Sequence, residues 1–108
     1  MAASDHLSKT QFMSMKELGE HYSRDYNIGA VRWLDRRYLD AMGANNHVDY
    51  DALKEDIAKH GIRKPIEVSK SEEEGTVLEN GHHRYVIAKE LGLSKVPVKQ
   101  ISPGTSMN

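Results

Sequence analysis

The sequence predicts an α+β fold, a single domain in which a small mixed sheet is flanked by helices. Short strand patterns, in which apolar residues alternate with other residues or run together, occur at positions 66–68, 76–78 and 96–98. Helical patterns end before Gly61 and Gly92, and glycine is common just past the C-terminus of a helix. The 108 residues fit one domain, and a hydrophobic content of 38% with few aromatic residues predicts a modest aliphatic core.

A helix is predicted near the start of the chain. Ser14 and Glu17 have the S-x-x-E spacing of a capping box. Met15, Leu18 and Tyr22 then share one face, which predicts two or three helical turns. This helix would either pack on the sheet as an accessory element or form a surface for a protein partner or for self-association.

The predicted organisation of the chain has three parts. Residues 1–27 form a tail and the accessory helix, residues 28–101 form the domain, and residues 102–108 form a flexible tail. The chain has no cysteine, which excludes a disulfide framework. Its first residues lack the basic start and apolar stretch of a signal peptide, so we expect a soluble, cytoplasmic protein with no membrane contact.

A second helix is predicted in the middle of the chain. Asp49 is a suitable N-cap residue, and Gly61 ends the helix that follows. Tyr50, Leu53 and Ile57 share the apolar face of this helix.

Two further patterns concern the sheet. Residues 70–75 are polar and charged and end in glycine, which predicts a solvated hairpin loop. Pro97 interrupts the last strand pattern, and because proline cannot donate a hydrogen bond to a neighbouring strand, it predicts a position near the sheet edge.

The strongest functional pattern is the junction between a strand and a helix at residues 76–91. Asn80 and Gly81 form a typical turn dipeptide, and an apolar helical pattern follows. Free N–H groups and the positive end of the helix dipole meet at such a junction, and Arg84 in the first turn adds a forked donor. The pattern predicts an anion site, with phosphate as the natural occupant.

The two histidines of this junction have several candidate roles. Adjacent helical residues point about 100° apart, so His82 and His83 are poorly placed to share a metal ion, and no metal site is predicted. His82 could act as a general acid or base, and His83 could donate a hydrogen bond to phosphate. Glu79 could hold a magnesium ion carried in on a nucleotide or serve as the catalytic carboxylate.

Four motifs in this order resemble the ParB/sulfiredoxin superfamily. They are a strand with an acidic end at residues 31–35, G-x-x-x-P-I-x-V at 61–68, G-x-x-R-x-x-x-A at 81–88 and L-G-x-x-x-V-P-V at 91–98. Each motif is weak alone, and the order and spacing of all four make the match. The resemblance covers roughly residues 28–101 and implies a ParB/sulfiredoxin-like fold.

The third motif implies a nucleotide site. In ParB proteins it usually contains G-E-R-R and cradles nucleotide phosphates, whereas in sulfiredoxins it contains G-C-H-R beside bound ATP. Here it is G-H-H-R, which is most similar to the form in free serine kinases. The resemblance implies that a nucleoside di- or triphosphate with Mg²⁺ binds to Gly81, His82, His83 and Arg84, with Lys64 beside the pocket.

The chain also departs from each of these families. His82 stands where a sulfiredoxin carries its nucleophilic cysteine, so reduction of sulfinic acid is excluded. The second phosphate-contacting motif and the helix-turn-helix of ParB are missing, so a DNA clamp is not expected. Free serine kinases use a glutamate in the loop after the first strand, where this chain offers Asp35 and Asp40 as carboxylates near the pocket mouth.

The predicted function is a nucleotide-binding regulatory or DNA-associated accessory protein, of the kind found in phages and mobile elements. Two alternatives stay open. One is an enzyme, either a ParB-like nuclease or nucleoside triphosphatase or a small-molecule kinase, with Glu79 or His82 as the catalytic residue. The other is an interaction module with an inactive site.

The charge of the chain limits contact with DNA. The chain has fifteen lysine and arginine residues and sixteen aspartate and glutamate residues, a balance that gives no global positive field. Arg32, Arg36 and Arg37 form the densest basic cluster. We therefore expect at most weak, local DNA contact.

Overall fold

The computed structural model describes residues 10–102, which form a five-stranded mixed sheet packed against helices. This architecture confirms the predicted α+β fold. The elements are, in chain order, β1 (Thr10–Ser14), α1 (Met15–Leu18), β2 (Tyr22–Ser23), a 3-10 helix (Val31–Trp33), α2 (Arg36–Ala41), a second 3-10 helix (Ala44–His47), α3 (Tyr50–His60), β3 (Ile66–Ser71), β4 (Gly75–Asn80), α4 (His82–Leu91) and β5 (Lys95–Gln100).

The strand order is β1-β5-β3-β4-β2. The pairs β3–β4 and β1–β5 are antiparallel, whereas β3–β5 and β2–β4 are parallel. The parallel pair β2–β4 matters most for function. It places the loop after β2 beside the end of β4, where α4 begins.

The hydrophobic core lies between the sheet and the helices. Its members are aliphatic with two buried tyrosines, as the composition predicts. The central strand β3 and its neighbour β5 both contribute alternate residues to the core. The largest fully buried apolar side chains are Leu18, Val31, Leu34, Leu39, Ile66, Leu78, Val86, Ile87 and Val96.

The predicted long N-terminal helix is wrong. Ser14 does cap a helix by accepting a hydrogen bond from the N–H of Glu17 at 3.0 Å, but α1 has four residues and ends at Gly19. Tyr22 instead lies in β2 and is 57% exposed. The apolar spacing that predicted a longer helix arises because Met15 and Leu18 turn inward just before the chain becomes extended.

Two strands lie before residue 28. β1 pairs along its whole length with β5, and β2 pairs with β4. Because β1 covers the outer side of β5, the predicted position of Pro97 near the sheet edge is only approximate: β5 is second from that edge. Pro97 pairs with Phe12 of β1, and the pairing with β3 starts one residue later at Val98.

The predicted strand at residues 31–35 is also wrong. Val31–Trp33 is a 3-10 helix, and Asp35 caps α2 by accepting a hydrogen bond from the N–H of Tyr38 at 2.8 Å. Val31 and Leu34 are both fully buried, and their spacing of three residues matches one turn of a 3-10 helix. An isolated apolar run of this length fits either structure.

The central predictions are confirmed. Asp49 caps α3 by accepting a hydrogen bond from the N–H of Ala52 at 3.0 Å, and Gly61 follows the helix with φ of 76°. The chain then forms the β3–β4 hairpin. Gly92 ends α4 in the left-handed conformation, with φ of 75°.

Candidate functional site

The site is built on the junction between β4 and α4, and Gly81 makes that junction. Its φ is 105°, a conformation that side-chain-bearing residues rarely adopt. A Cβ atom at this position would lie 3.0 Å from Cγ1 of Ile66 and 3.3 Å from Cζ of Arg84. Glycine therefore allows both the turn and the close approach of the backbone to β3 and to the Arg84 side chain.

An open cleft of about 290 Å³ lies at the start of α4. Gly81 is the N-cap residue and has no side chain to cap the helix, so no side chain accepts from the first backbone N–H groups of α4. The cleft brings together four of the six predicted site residues, namely Gly81, His82, His83 and Arg84. Its other lining residues are Asp25, Tyr26, Val48, Leu53 and Asn80.

His82 forms the inner wall of the cleft and is only 4% exposed. Its Nε2 lies 2.9 Å from Oγ of Ser23, and its Nδ1 lies 3.7 Å from a carboxylate oxygen of Asp25. The ring of Tyr26 packs edge-on against the imidazole, with 5.1 Å between centroids. Burial lowers the pKa of His82 to about 4 although the Asp25 carboxylate opposes this shift, so the imidazole is neutral at physiological pH.

His83 is held from the opposite side by the second 3-10 helix. Its Nε2 lies 2.9 Å from Oδ1 of Asn45, whose amide nitrogen donates to the Asp40 carboxylate. Burial lowers the pKa of His83, and a backbone hydrogen bond with Ala44 opposes this effect. This chain of contacts orients the His83 ring.

Arg84 closes the end of the cleft. Its Nη1 donates to the backbone oxygens of Lys64 at 2.5 Å and of Pro65 at 2.6 Å. Burial lowers the pKa of the guanidinium, and Glu67 opposes this shift. Arginine keeps its charge because its ordinary pKa is far above neutrality. Arg84 is therefore a positioned cation beside the free N–H groups of α4.

Lys64 does not line this cleft. It lies on a neighbouring cleft of about 230 Å³, which is lined by three aliphatic and four charged side chains and shares Leu53 and Arg84 with the first. Arg84 therefore stands between the two clefts. Lys64 could reach a ligand only if the ligand extends past Arg84.

Glu79 does not line the cleft. It is the extra residue of a β-bulge. Glu67 of β3 pairs with Asn80 of β4 and Val68 pairs with Leu78, which leaves Glu79 without a partner on β3. Its carboxylate accepts a hydrogen bond from Ser69 Oγ at 2.6 Å. It is 6% exposed.

Arg24 completes the surroundings of Glu79. Its Nε and Nη2 donate to Glu79 at 3.1 Å each, and it also makes two hydrogen bonds to Glu74. The hydrogen bonds from Arg24 lower the pKa of Glu79, against the opposing effect of burial. Glu79 is thus ionised and already paired.

The other predicted carboxylates have local roles as well. Asp35 caps α2, and Asp40 accepts from Asn45. Neither lines the cleft, whereas Asp25 does and is 58% exposed at its side chain. Sequence reasoning missed Asp25 because the parallel pairing of β2 with β4 brings it in from 57 positions before His82, and no local motif marks that pairing.

The predicted basic cluster is largely paired with acids. Arg32 lies 2.8 Å from Glu20, and Arg36 lies 3.0 Å from Asp51. These ion pairs reduce the local positive field that DNA would meet.

Two further observations concern residues 10–102. This part of the chain has no group of three or more histidine, aspartate or glutamate side chains placed to hold a metal ion. None of its helices is both long enough and apolar enough to cross a membrane.

Solved structures share this fold. Sulfiredoxin from Arabidopsis thaliana matches with a TM-score of 0.57 and 17% identity, covering 92% of this chain and 93% of that one. The C-terminally truncated chromosome-partitioning protein ParB from Caulobacter crescentus, solved in complex with CTP-gamma-S, matches with a TM-score of 0.55 and 19% identity. That match covers 87% of this chain and 44% of the ParB chain. No protein-family model and no curated protein matches the sequence.

The chain is therefore an α+β domain with a ParB/sulfiredoxin-like fold. At these identities the likeness is one of architecture. It confirms the fold that the four sequence motifs implied.

Proposed function

We propose that this domain binds a nucleoside di- or triphosphate at the start of α4. The observation that carries the proposal is the cleft formed by Gly81, His82, His83 and Arg84, in which the uncapped N-terminus of a ten-residue helix lies beside a half-buried guanidinium. Backbone N–H groups, the helix dipole and a guanidinium together favour phosphate oxygens. The structural likeness to a ParB protein complexed with CTP-gamma-S supports this choice of ligand.

The dimensions of the two clefts support a nucleotide rather than free phosphate. Together they offer about 290 Å³ and about 230 Å³ on the two sides of Arg84. Small-ligand sites range from about 300 to 1,000 Å³. The phosphates would occupy the first cleft, and the base would lie against Leu53 and Ile57 in the second, within reach of Lys64.

The residues present also fit a magnesium ion carried by the nucleotide. Hard cations bind carboxylate oxygens and keep much of their water. Asp25 is the carboxylate that lines the first cleft, and its side chain is half exposed. Glu79 is a poorer candidate for this role because its oxygens are engaged by Ser69 and Arg24.

Such a domain would act as a regulatory or DNA-associated accessory module, with the bound nucleotide as its signal. Phage or mobile-element origin fits this role and stays a prediction. A nuclease or a small-molecule kinase would require a catalytic carboxylate at the cleft, and Asp25 offers one there.

The proposal is tested by calorimetric titration with the four ribonucleoside triphosphates and their diphosphates, with and without Mg²⁺. Arg84→Ala should weaken binding by about 1.5–3 kcal/mol, the range for a hydrogen bond to a charged group. Arg84→Lys should weaken it less, because the charge remains while the fork is lost. Arg37→Ala, which removes an exposed arginine of α2, is the matched control.

Thermal unfolding of each variant separates loss of the site from loss of the fold, because Arg84 also holds the segment around Lys64 and Pro65. A folded Arg84→Ala protein that binds with wild-type affinity would place the phosphate site elsewhere. Absence of any nucleotide binding by the wild type would refute the proposal outright.

A further inference from the structure

Ser23, His82 and Asp25 form a cluster that nucleotide binding alone does not use. Ser23 Oγ lies 2.9 Å from Nε2 of His82, and the Asp25 carboxylate lies 3.7 Å from the other ring nitrogen. A hydroxyl, an imidazole and a carboxylate in this order are the parts of an activated serine nucleophile. The three residues come from the end of β2, the loop that follows it and the first turn of α4.

The direction of the hydrogen bonds favours an activated hydroxyl. The backbone N–H of Tyr26 donates to Ser23 Oγ at 3.1 Å. Because that N–H is only a donor, Oγ accepts there, and its own hydrogen is free to point at Nε2 of His82. The Nδ1 hydrogen of the neutral imidazole then faces Asp25.

The packing around His82 fixes this arrangement. The imidazole is almost fully buried, and the edge-on ring of Tyr26 holds its plane. Burial lowers the pKa of His82 and so keeps the ring neutral with a free lone pair, while the Asp25 carboxylate opposes that shift and favours the protonated form. Asp25 is too far for a hydrogen bond in this structure, so it acts through its charge, which would stabilise the imidazolium.

We propose that Ser23 accepts a phosphoryl group from the nucleoside triphosphate bound in the cleft, with His82 as general base and Asp25 as the carboxylate whose charge stabilises the imidazolium. This inference rests on the proposed nucleotide site, because Asp25, Tyr26 and His82 line the same cleft as Gly81 and Arg84. Ser23 itself is half-buried and directly contacts two of these wall residues. The acceptor hydroxyl and the phosphate site are thus adjacent.

The phosphoryl transfer forms one bond to phosphorus and breaks one. The Ser23 proton moves to Nε2 of His82 while Oγ forms a bond to the terminal phosphorus. The bond from that phosphorus to the bridging oxygen breaks, and its electron pair leaves with the nucleoside diphosphate. The proton passes from His82 to water, and the products are phosphoserine at position 23 and the diphosphate.

The test separates binding from transfer. Binding is measured by calorimetry with non-hydrolysable analogues of the four ribonucleoside triphosphates, and transfer by intact-mass spectrometry and peptide mapping after incubation with the triphosphates and Mg²⁺. We expect one phosphoryl group on Ser23 of the wild type. Ser23→Ala should lose it entirely, and Ser94→Ala, which removes an exposed serine after α4, should keep it.

His82→Gln should slow the transfer by about a hundredfold or more, the usual range for a positioned general base. Asp25→Asn should also slow the transfer, because it removes both the charge beside His82 and the proposed magnesium ligand, and it should leave the thermal midpoint near that of the wild type, because Asp25 is exposed. Since His82→Gln could loosen the core, its melting curve and its analogue affinity are measured beside its rate.

Each contrary result of these measurements refutes a different part of the two proposals. If analogues bind and no phosphoryl group appears on Ser23, the transfer is refuted and the nucleotide site stands. If no analogue binds, both proposals fail. Labelling that persists in Ser23→Ala, or that proceeds at the wild-type rate in His82→Gln, would show that another residue or a contaminating kinase is responsible.

Discussion

Gly81 meets two separate demands at one residue. Its φ of 105° favours glycine, and the space around its missing side chain is filled by Ile66 and Arg84. The sequence predicts the first demand, because Asn-Gly before a helix indicates a turn. It cannot predict the second, because Ile66 approaches from another strand.

Gly81→Ala should destabilise the protein by about 2–4 kcal/mol, since backbone strain adds to the close contact with Ile66. Gly29→Ala is the matched control: Gly29 has φ of 76° and nothing within 4 Å of its Cβ position. That variant should lose only about 1 kcal/mol. Urea unfolding of both variants measures the difference, and equal losses would show that packing at Gly81 is unimportant.

His82 should make stability depend on pH. Its pKa falls from 6.5 in the unfolded chain to about 4 in the folded protein. The unfolded chain therefore binds more protons between these values, so the free energy of unfolding is highest above pH 6.5 and falls as the pH approaches 4. The loss amounts to about 3 kcal/mol at about 1.4 kcal/mol per pH unit.

This contribution can be isolated by substitution. His82→Gln should flatten the pH dependence in that window, whereas His47→Gln, at an exposed histidine, should not. His21 and His83 also have lowered pKa values, so part of the slope will persist. Parallel slopes for His82→Gln and the wild type would contradict the burial argument.

At the scale of elements, the well-predicted parts are those whose signals are local. The turn into α4, the cap of α3 at Asp49 and the glycines after both helices depend on neighbouring residues. β1 gave no signal because most of its residues are exposed, so apolar and polar positions do not alternate. β2 has two residues, and its place is set by pairing with β4.

The difference between local signals and long-range pairing also explains which residues of the candidate site the sequence predicts. Residues 81–84 were predicted as a group because they follow one another at a turn. Ser23, Asp25 and Tyr26 reach them only through the sheet. Glu79 was predicted to serve the cleft because it adjoins the turn, but the β-bulge directs it toward Ser69.

Glu79 should therefore be tested as a structural residue that joins β3, β4 and the loop after β2. Glu79→Gln should destabilise the protein by about 1–3 kcal/mol, because the buried charge and its hydrogen bonds to Arg24 are weakened. Nucleotide affinity should change little. Glu73→Gln, in the exposed hairpin turn, is the control for removing a nearby charge. Lost turnover with unchanged stability would instead support the predicted catalytic role.

At the scale of the whole molecule, charge is balanced locally as well as in total. The formal net charge is −1, and arginines in several elements are paired with acids nearby. Such pairing leaves little long-range field to steer a polyanion. The proposed site for phosphate is instead a single cleft in which one guanidinium and free backbone N–H groups converge.

Any DNA affinity of this domain should consequently be weak and steeply dependent on salt, because it would come only from basic side chains that neutralise DNA phosphates. Each phosphate that a basic side chain neutralises adds about 0.9 to the slope of log affinity against log salt, and residues such as Arg37 could neutralise only a few. Binding to a short duplex should therefore vanish between about 50 and 200 mM salt in a fluorescence anisotropy titration. Arg37→Ala should weaken it, whereas Arg84→Ala should not, because that guanidinium lines the proposed nucleotide cleft. Tight, sequence-specific binding that survives about 200 mM salt would show that this domain reads DNA directly, against the balance of its charges.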